Sequence, residues 1–386
     1  MTEKTPKTFN EPRLRAMMER EGIDLVVLSN FANSAYVSGF LNNGGHLSYR
    51  PFVVFYFLDE AREPAFIVPA VDLHLAMHFT WIKDVRAYAM AEFFTDLDVH
   101  FYDDFLSAAR DVLAERNVTN LVVGTEGDSL AKAIRDGLDE LLSGNRVVDV
   151  SRQMDLVRMV KTPAEIRRLR KATDITIKAH ESFRATIRLG NTDRDLFTAA
   201  NVRMFEEGAD AIEFINVGTG PVSYAAHCPF PVGHVLEEGD FVKVDMGAQI
   251  EGYGADFVRS YFIGRATNRQ KAIWQHLNDV QVELGRWLRP GVTGGEIFER
   301  GYREISRHLD NFPREFIGHG IGLVAHEQPR MNRPNRTVLE PDTVVCIEYS
   351  YYHDGVRFHT EDTFHVKDDG VEFWTESCPR ELVVPV

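Results

Sequence analysis

Cysteine is scarce. Cys228, Cys346 and Cys378 are the only three in 386 residues, and none stand at the close spacing of a cysteine metal motif. No disulfide framework is legible, a reducing compartment is expected, and the three thiols show no chemistry of their own. Positive charge is also short: 43 Lys and Arg against 58 Asp and Glu leave a net charge of −15. That balance excludes a nucleic-acid partner or an anionic membrane surface as the expected target. No apolar run is long enough to span a bilayer, and the opening "MTEKTPKTFNEPRLRAM" lacks the apolar core of a signal peptide. A cytoplasmic protein is therefore expected. Repeats and low-complexity segments are absent as well, which excludes solenoids and arrays. What remains is an ordinary apolar fraction of 44% over a length that suits two domains.

The first part of the chain alternates helical and strand patterns. "EPRLRAMMEREG" reads as an amphipathic helix closed by Gly22, followed by the apolar run "IDLVVLS". "PFVVFYFLDE" and "PAFIVPA" read as two strands, a helix is expected from about Asp98 to Arg116, and "VTNLVVGTE" reads as a further strand. This alternation implies an α/β amino-terminal domain over residues 1–157. Residues 158–386 read differently. Thr162, Pro163 and Glu165 form a helix start, and Ile166, Leu169, Ala172, Ile175 and Ala179 make one apolar stripe. Further helices are expected after Thr192, from about Asn268 to Leu288, and after the capping box Thr293–Glu296. With antiparallel hairpins between and after them, this half is expected to be an α+β domain.

Carboxylates mark the hairpins. "VVCIEYSYYHDGVRFHTEDTFHV" holds an Asp-Gly pair between two strand-like runs, a strong signal for a two-residue turn. With Asp354 and Gly355 as the turn, Glu348 and Glu361 become direct cross-strand neighbours, with Cβ atoms roughly 5 Å apart. Two carboxylates so placed repel unless a proton or a cation lies between them. "VDMGAQIEGYGADF" places Asp245 and Asp256 eleven positions apart, so an even-sized turn centred on Gln249–Gly252 brings them together. Four clustered carboxylates favour divalent cations bound through oxygen.

Histidines lie nearby in sequence. "FIGHGIGLVAHEQP" sets His319 between glycines and His326 seven residues on. His227, in "SYAAHCPFPVGH", precedes the aspartate hairpin and is ranked above His234 as a site residue. Imidazole with carboxylates suits manganese, cobalt, zinc or iron better than magnesium.

Taken together these residues resemble the pita-bread metallopeptidase superfamily, which includes methionine aminopeptidase, aminopeptidase P, prolidase and creatinase. "EGIDLVVLSNFANSAYVSGF" is similar to the amino-terminal domain of the creatinase and prolidase branch, and "KTPAEIRRLRKA" to its interdomain helix. The resemblance implies a pita-bread catalytic domain with antiparallel sheet. It implies a dinuclear centre held by Asp245, Asp256, His319, Glu348 and Glu361, with two divalent ions, manganese before iron, cobalt or zinc. The implied activity is metal-dependent hydrolysis of an amide bond in a dipeptide or small amide, by a hydroxide bridging the two ions. Glu348 would carry the proton, and His326 and His227 would stand on the substrate side as catalytic histidines. Creatinase-like relatives are dimers whose amino-terminal domain reaches the partner's site. A homodimer is thus expected, with His46, Tyr49 and Arg50 of "NNGGHLSYRP" contacting substrate.

The pattern also departs from the peptidases. "EYS" stands where "EPG" is usual at the first glutamate. His359 holds the place of an arginine two positions before Glu361, with Arg357 displaced by two, and both are expected to bind substrate. Glu315 stands four before His319, where aminopeptidase P relatives carry histidine. The strand after Asp256 reads "VRS" rather than "TRT", and the glutamate turn is short. That short turn is similar to relatives that cleave dimethylsulfoniopropionate as metal-dependent lyases. A metal-free C–N hydrolase resembling creatinase or ectoine hydrolase, with His227 as its catalytic residue, is the other alternative. The full ligand set argues against it.

Overall fold

The computed structural model describes residues 6–41, 49–89, 99–127, 129–310, 312 and 315–385. The chain divides into two compact units, Met1–Arg158 and Met159–Val386. In the first, the strands are β1 (Leu25–Leu28), β2 (Val53–Phe57), β3 (Ala65–Pro69), β4 (Asp84–Tyr88), β5 (Phe101–Tyr102), β6 (Val122–Thr125) and β7 (Arg146–Asp149). They form one mixed sheet in the order β5-β4-β3-β2-β1-β6-β7. The helices are α1 (Glu11–Glu21), α2 (Phe31–Ser38), α3 (Leu73–Phe79), α4 (Phe105–Glu115), α5 (Lys132–Leu141) and α6 (Ser151–Met159). Gly22 closes α1 in the left-handed conformation (φ 64°) that its missing Cβ permits. The helix expected from Asp98 is shorter than its pattern. Residues 101 and 102 pair in parallel with β4, and Asp104 then caps α4 by accepting from the Ser107 N–H (2.7 Å).

The second unit opens with α7 (Pro163–Thr186), α8 (Asp193–Glu206), β8 (Ala211–Thr219), β9 (Phe241–Ile250), β10 (Tyr253–Gly254) and β11 (Phe257–Ile263). It continues with α9 (Asn268–Trp287), α10 (Gly294–Ile305), β12 (Gly318–Gly320), β13 (Thr343–His353), β14 (Val356–Lys367), β15 (Gly370–Phe373) and β16 (Val383–Val384). Capping boxes start α7, α8, α9 and α10, at Thr162, Thr192, Thr267 and Thr293. Each satisfies two backbone donors that a helix otherwise leaves open. Thr162→Ala is expected to lower unfolding stability by about 1 kcal/mol, read as a urea midpoint shift with unchanged slope.

Two sheets carry this unit: β10-β9-β11-β16, with β8 on β9, and β12-β13-β14-β15. Alternation along each strand decides what faces where. On β9, Val242, Val244, Met246 and Ala248 pack with Ala179, Phe183 and Leu196 of α7 and α8. On β13 and β14, Val345, Ile347, Tyr349, Phe358, Phe364 and Val366 pack with Leu277, Leu284 and Ile297 of α9 and α10. The intervening residues therefore share the opposite faces: Lys243 and Asp245 on β9; Cys346, Glu348 and Ser350 on β13; Arg357, His359, Glu361 and Thr363 on β14. Most of the charged residues of these strands occupy the faces that the helices leave uncovered; Asp362 is the exception, on the helix side of β14, where it accepts from Gln281 of α9 (2.9 Å).

Candidate metal centre

Residue types at the turns place the carboxylates. β13 and β14 pair antiparallel with Glu348 directly opposite Glu361, as the Asp-Gly turn implies. Asp354 and Gly355 both have positive φ (49° and 76°), which a two-residue turn of this twist requires. The "EYS" departure has a structural consequence. Without a proline the ladder runs unbroken past Glu348, and Tyr349 pairs with Thr360.

The aspartate hairpin differs from its expected register. The turn residues are Glu251 and Gly252, both at positive φ (48° and 82°), one position beyond the expected centre. Tyr253 pairs with Ile250 and Asp245 lies opposite Val258 rather than Asp256. The two aspartates are diagonal neighbours instead. Gly247 is required here, because a Cβ would lie 1.7 Å from the Ala255 carbonyl oxygen.

Carboxylate oxygens of Asp245, Asp256 and Glu361 lie within 4.8 Å of one another. His319 on β12 joins them. With Nδ1 donating to the Gly320 carbonyl oxygen (3.1 Å), Nε2 faces Glu361 Oε1 (3.3 Å), Asp256 Oδ2 (3.7 Å) and Glu348 Oε1 (3.9 Å). His319, Asp256, Glu348 and Glu361 are all buried. Among the described residues, the Oδ1 atoms of Asp245 and Asp256 and the Oε1 atom of Glu361 are buried without a hydrogen-bond partner; His319 approaches the last off the hydrogen-bonding direction. Buried acceptors without donors are destabilising, and a ring of them is what divalent cations satisfy. The residues present thus fit such ions, through Asp245, Asp256, His319, Glu348 and Glu361.

Crowding perturbs every acid here. Burial, reinforced by Glu361, Asp245 and Glu348, holds Asp256 well above the usual carboxylate range. Burial outweighs the nearby Lys243 ammonium and pushes Asp245 up to about 6. Burial and the Glu348 charge push Glu361 up to about 8. For His319 burial alone would lower the pKa, but Glu361 and Glu348 outweigh it and the net shift is upward. The protons that these shifts retain are those that a cation would displace.

The remaining expected site residues fall in different places. His326 is exposed at the edge of the cluster, its ring centroid 3.9 Å from that of His319 and its donor atom within reach of Asp256. Its neighbour Glu327 is buried against the Lys161 ammonium (3.2 Å) and exchanges backbone hydrogen bonds with Gly320, which fixes the loop. His359 sits closer to the centre than a substrate-binding role requires: its Nε2 lies 3.0 Å from Glu348 Oε2, and it groups with Glu348 and Glu361 as a possible donor. Arg357 is buried and donates through Nε to Ser350 Oγ. His227 is exposed and lies outside the donor groups found among the described residues. His234, ranked below it, bonds Asp240 (2.7 Å) and serves its own turn. Tyr49 and Arg50 are exposed in the first unit, Glu315 is exposed in the second, and His46 lies outside the described residues.

Two features escape a reading by sequence. Cys346, with no legible chemistry, pairs with His319 across β12 and β13, and its sulfur groups with His319 and Glu361 donor atoms. Its thiol donates to the Asp256 carbonyl oxygen (3.3 Å), and burial pushes its pKa well up. Arg259 is fully buried and donates to the Glu361 carbonyl oxygen (2.9 Å) and to Asp362 (2.8 Å), joining the aspartate hairpin to the glutamate hairpin. Same-face placement two residues before Glu348 was the available signal for Cys346. Arg259 had none.

Comparison with known proteins gives the family. The profile of metallopeptidase family M24 matches residues 167–368, and that of the creatinase/prolidase N-terminal domain matches residues 12–160. The Xaa-Pro dipeptidase of Pyrococcus horikoshii is 26% identical over 379 residues, covering 95% of this chain and 96% of that one. Among solved structures, the Xaa-Pro dipeptidase from Bacillus anthracis superposes with a TM-score of 0.81 at 25% identity, covering 97% of this chain and 98% of that one. The X-Pro aminopeptidase from Thermotoga maritima, at 22% identity and a TM-score of 0.80 over 97% of this chain and 99% of that one, shares the fold.

Proposed function

Because the chain belongs to metallopeptidase family M24, we propose that it hydrolyses the amide bond of Xaa-Pro dipeptides, using two divalent cations, manganese foremost. The observation that carries this reading is the set of buried, unpartnered oxygens on Asp245, Asp256 and Glu361 beside His319 Nε2. Names carried by similar proteins, Xaa-Pro dipeptidases along nearly their whole lengths, supply the substrate class.

Cations bound by Asp245, Asp256, His319, Glu348 and Glu361 would supply the charge that brings the pKa of water toward neutrality and polarises a carbonyl. The chain's own residues do the rest. Glu348 takes a proton from the attacking water at its carboxylate and returns it to the departing amine. His359, 3.0 Å from Glu348 Oε2, holds that carboxylate in one orientation. His326 and His227 donate to the substrate carbonyl oxygen as it gains negative charge. Arg357 takes the substrate carboxylate. Arg357→Ala is expected to raise KM about tenfold with a smaller change in kcat, since a binding contact of roughly 1.4 kcal/mol is lost.

The reading is tested by removing metal with a chelator, restoring manganese, and assaying Ala-Pro beside dimethylsulfoniopropionate. Manganese-dependent release of proline with no lyase product is the expected result. Full activity of metal-free protein would instead favour the creatinase-like alternative. The assembly that accompanies this reading is a homodimer in the cytoplasm, in which the loop of Tyr49 and Arg50 of one protomer contacts the substrate of its partner. Light scattering measures the mass, and an Arg50→Ala variant of unchanged kcat/KM would remove that loop from the proposal.

A further inference from the structure

Lys243 is a lysine where its strand calls for an apolar residue or a short polar one. It is fully buried on β9, on the same face as Asp245 two residues later. Burying an ammonium is unfavourable by several kcal/mol unless its donors are met. They are met by backbone: Nζ donates to the carbonyl oxygens of Ala225 (2.5 Å) and Ala226 (3.1 Å). The side chain reaches them by crossing the strand beside it. Its partner there is Gly218 on β8, where an added Cβ would stand 3.7 Å from Lys243 Cε, 3.3 Å from the Val222 carbonyl oxygen and 3.4 Å from Ser223 Cα. A larger residue would close that passage.

The same segment is tied on its other side. Cys228 donates its N–H to Asn216 Oδ1 (3.1 Å), and its carbonyl oxygen accepts from the Val217 N–H (2.9 Å). Asn216 and Val217 pair with Asp245 and Val244. Residue 227 is therefore held between an ammonium-anchored pair and a strand-anchored neighbour. Its backbone runs beside a strand that lies only about 4.8 Å from the strand of Asp245. Its side chain is exposed and makes none of the hydrogen bonds that hold the segment. The backbone is fixed, and the imidazole is left available.

We propose that Lys243 is a positioning residue that fixes the 225–228 segment and thereby presents His227 to the substrate. The proposal rests on the reading that His227 acts on substrate, so its test has one arm that needs no substrate.

The manganese-loaded full chain is compared with Lys243→Met, Lys243→Gln, His227→Ala and the Lys243→Met/His227→Ala double variant. In hydrogen–deuterium exchange, Lys243→Met should speed exchange of the Cys228 amide at least tenfold while the amides of β13 and β14 keep their rates. Lys243→Gln, whose amide can still donate to a carbonyl, should recover part of the protection. With Ala-Pro as substrate, Lys243→Met should lower kcat about tenfold with KM changed less than twofold. Adding it to His227→Ala should change kcat by less than twofold, because the residue it positions is gone. Unchanged Cys228 exchange, or losses that multiply in the double variant, would overturn the proposal. Loss of Cys228 protection in a protein that cleaves no Xaa-Pro dipeptide would uphold the anchoring by Lys243 and overturn the dipeptidase reading instead.

Discussion

Glu348→Gln is expected to reduce kcat on Ala-Pro by about 10²–10⁴-fold, the range that a positioned proton-transfer group contributes. The substitution preserves shape and removes one charge. Glu348 faces Glu361 across the hairpin, contacts His359 at 3.0 Å and stands 3.9 Å from His319 Nε2. An amide in that place can neither accept the water proton nor return it to the amine, whereas much of the site remains. Because Glu348 also belongs to the proposed ligand set, metal content must be measured beside the kinetics. Loss of kcat with metal retained assigns the effect to proton transfer; loss of both assigns it to ligation. A variant within threefold of the parent in kcat would remove Glu348 from the chemistry altogether.

Chelation should make stability depend on pH in a direction opposite to ordinary carboxylates. Asp256, Asp245 and Glu361 all have pKa values raised in the folded chain, the last two to about 6 and about 8. Their unfolded values lie near 4. The folded state thus binds more protons than the unfolded one between those limits, and unfolding stability falls as pH rises. The contribution of these protons is fully present below about pH 4, and it is lost as pH climbs through about 6 and then about 8. The unit Met159–Val386 of metal-free protein should accordingly melt several degrees lower at pH 8.5 than at pH 5.5, since each kcal/mol moves Tm by about 2–4 °C for a unit of that size. Manganese should restore most of the difference at pH 8.5 and little at pH 5.5, because binding must displace those same protons. Calorimetry with and without manganese at the two pH values measures both effects. A metal-free Tm that is flat or rising over this interval would contradict the assigned shifts.

Much of the centre was legible because its geometry is local. A two-residue turn and a period of two are enough to set Glu348 opposite Glu361, and the ladder has that register. The aspartate hairpin shows how narrow the margin is. "QIEGYG" offers more than one even-sized turn, and the turn is at Glu251–Gly252, both at positive φ, which Gly252 adopts without a Cβ penalty. Moving the turn by one residue shifts the pairing by two, so Asp245 and Asp256 meet diagonally. Helix starts were legible for the same local reason, except near Asp98, where pairing with β4 outweighed helical periodicity.

The amino-acid sequence by itself determined where the strands turn, that Glu348 faces Glu361, and that a proton or a cation must lie between those carboxylates. Only the tertiary structure decided that Cys346 stands beside His319 and that Arg259 joins the two hairpins. It also decided how far each acid is shifted. Strand alternation and turn conformation are fixed by near neighbours in the chain, whereas burial, the pairing of β12 with β13 and the approach of Arg259 to a strand about a hundred positions on depend on how distant elements come together.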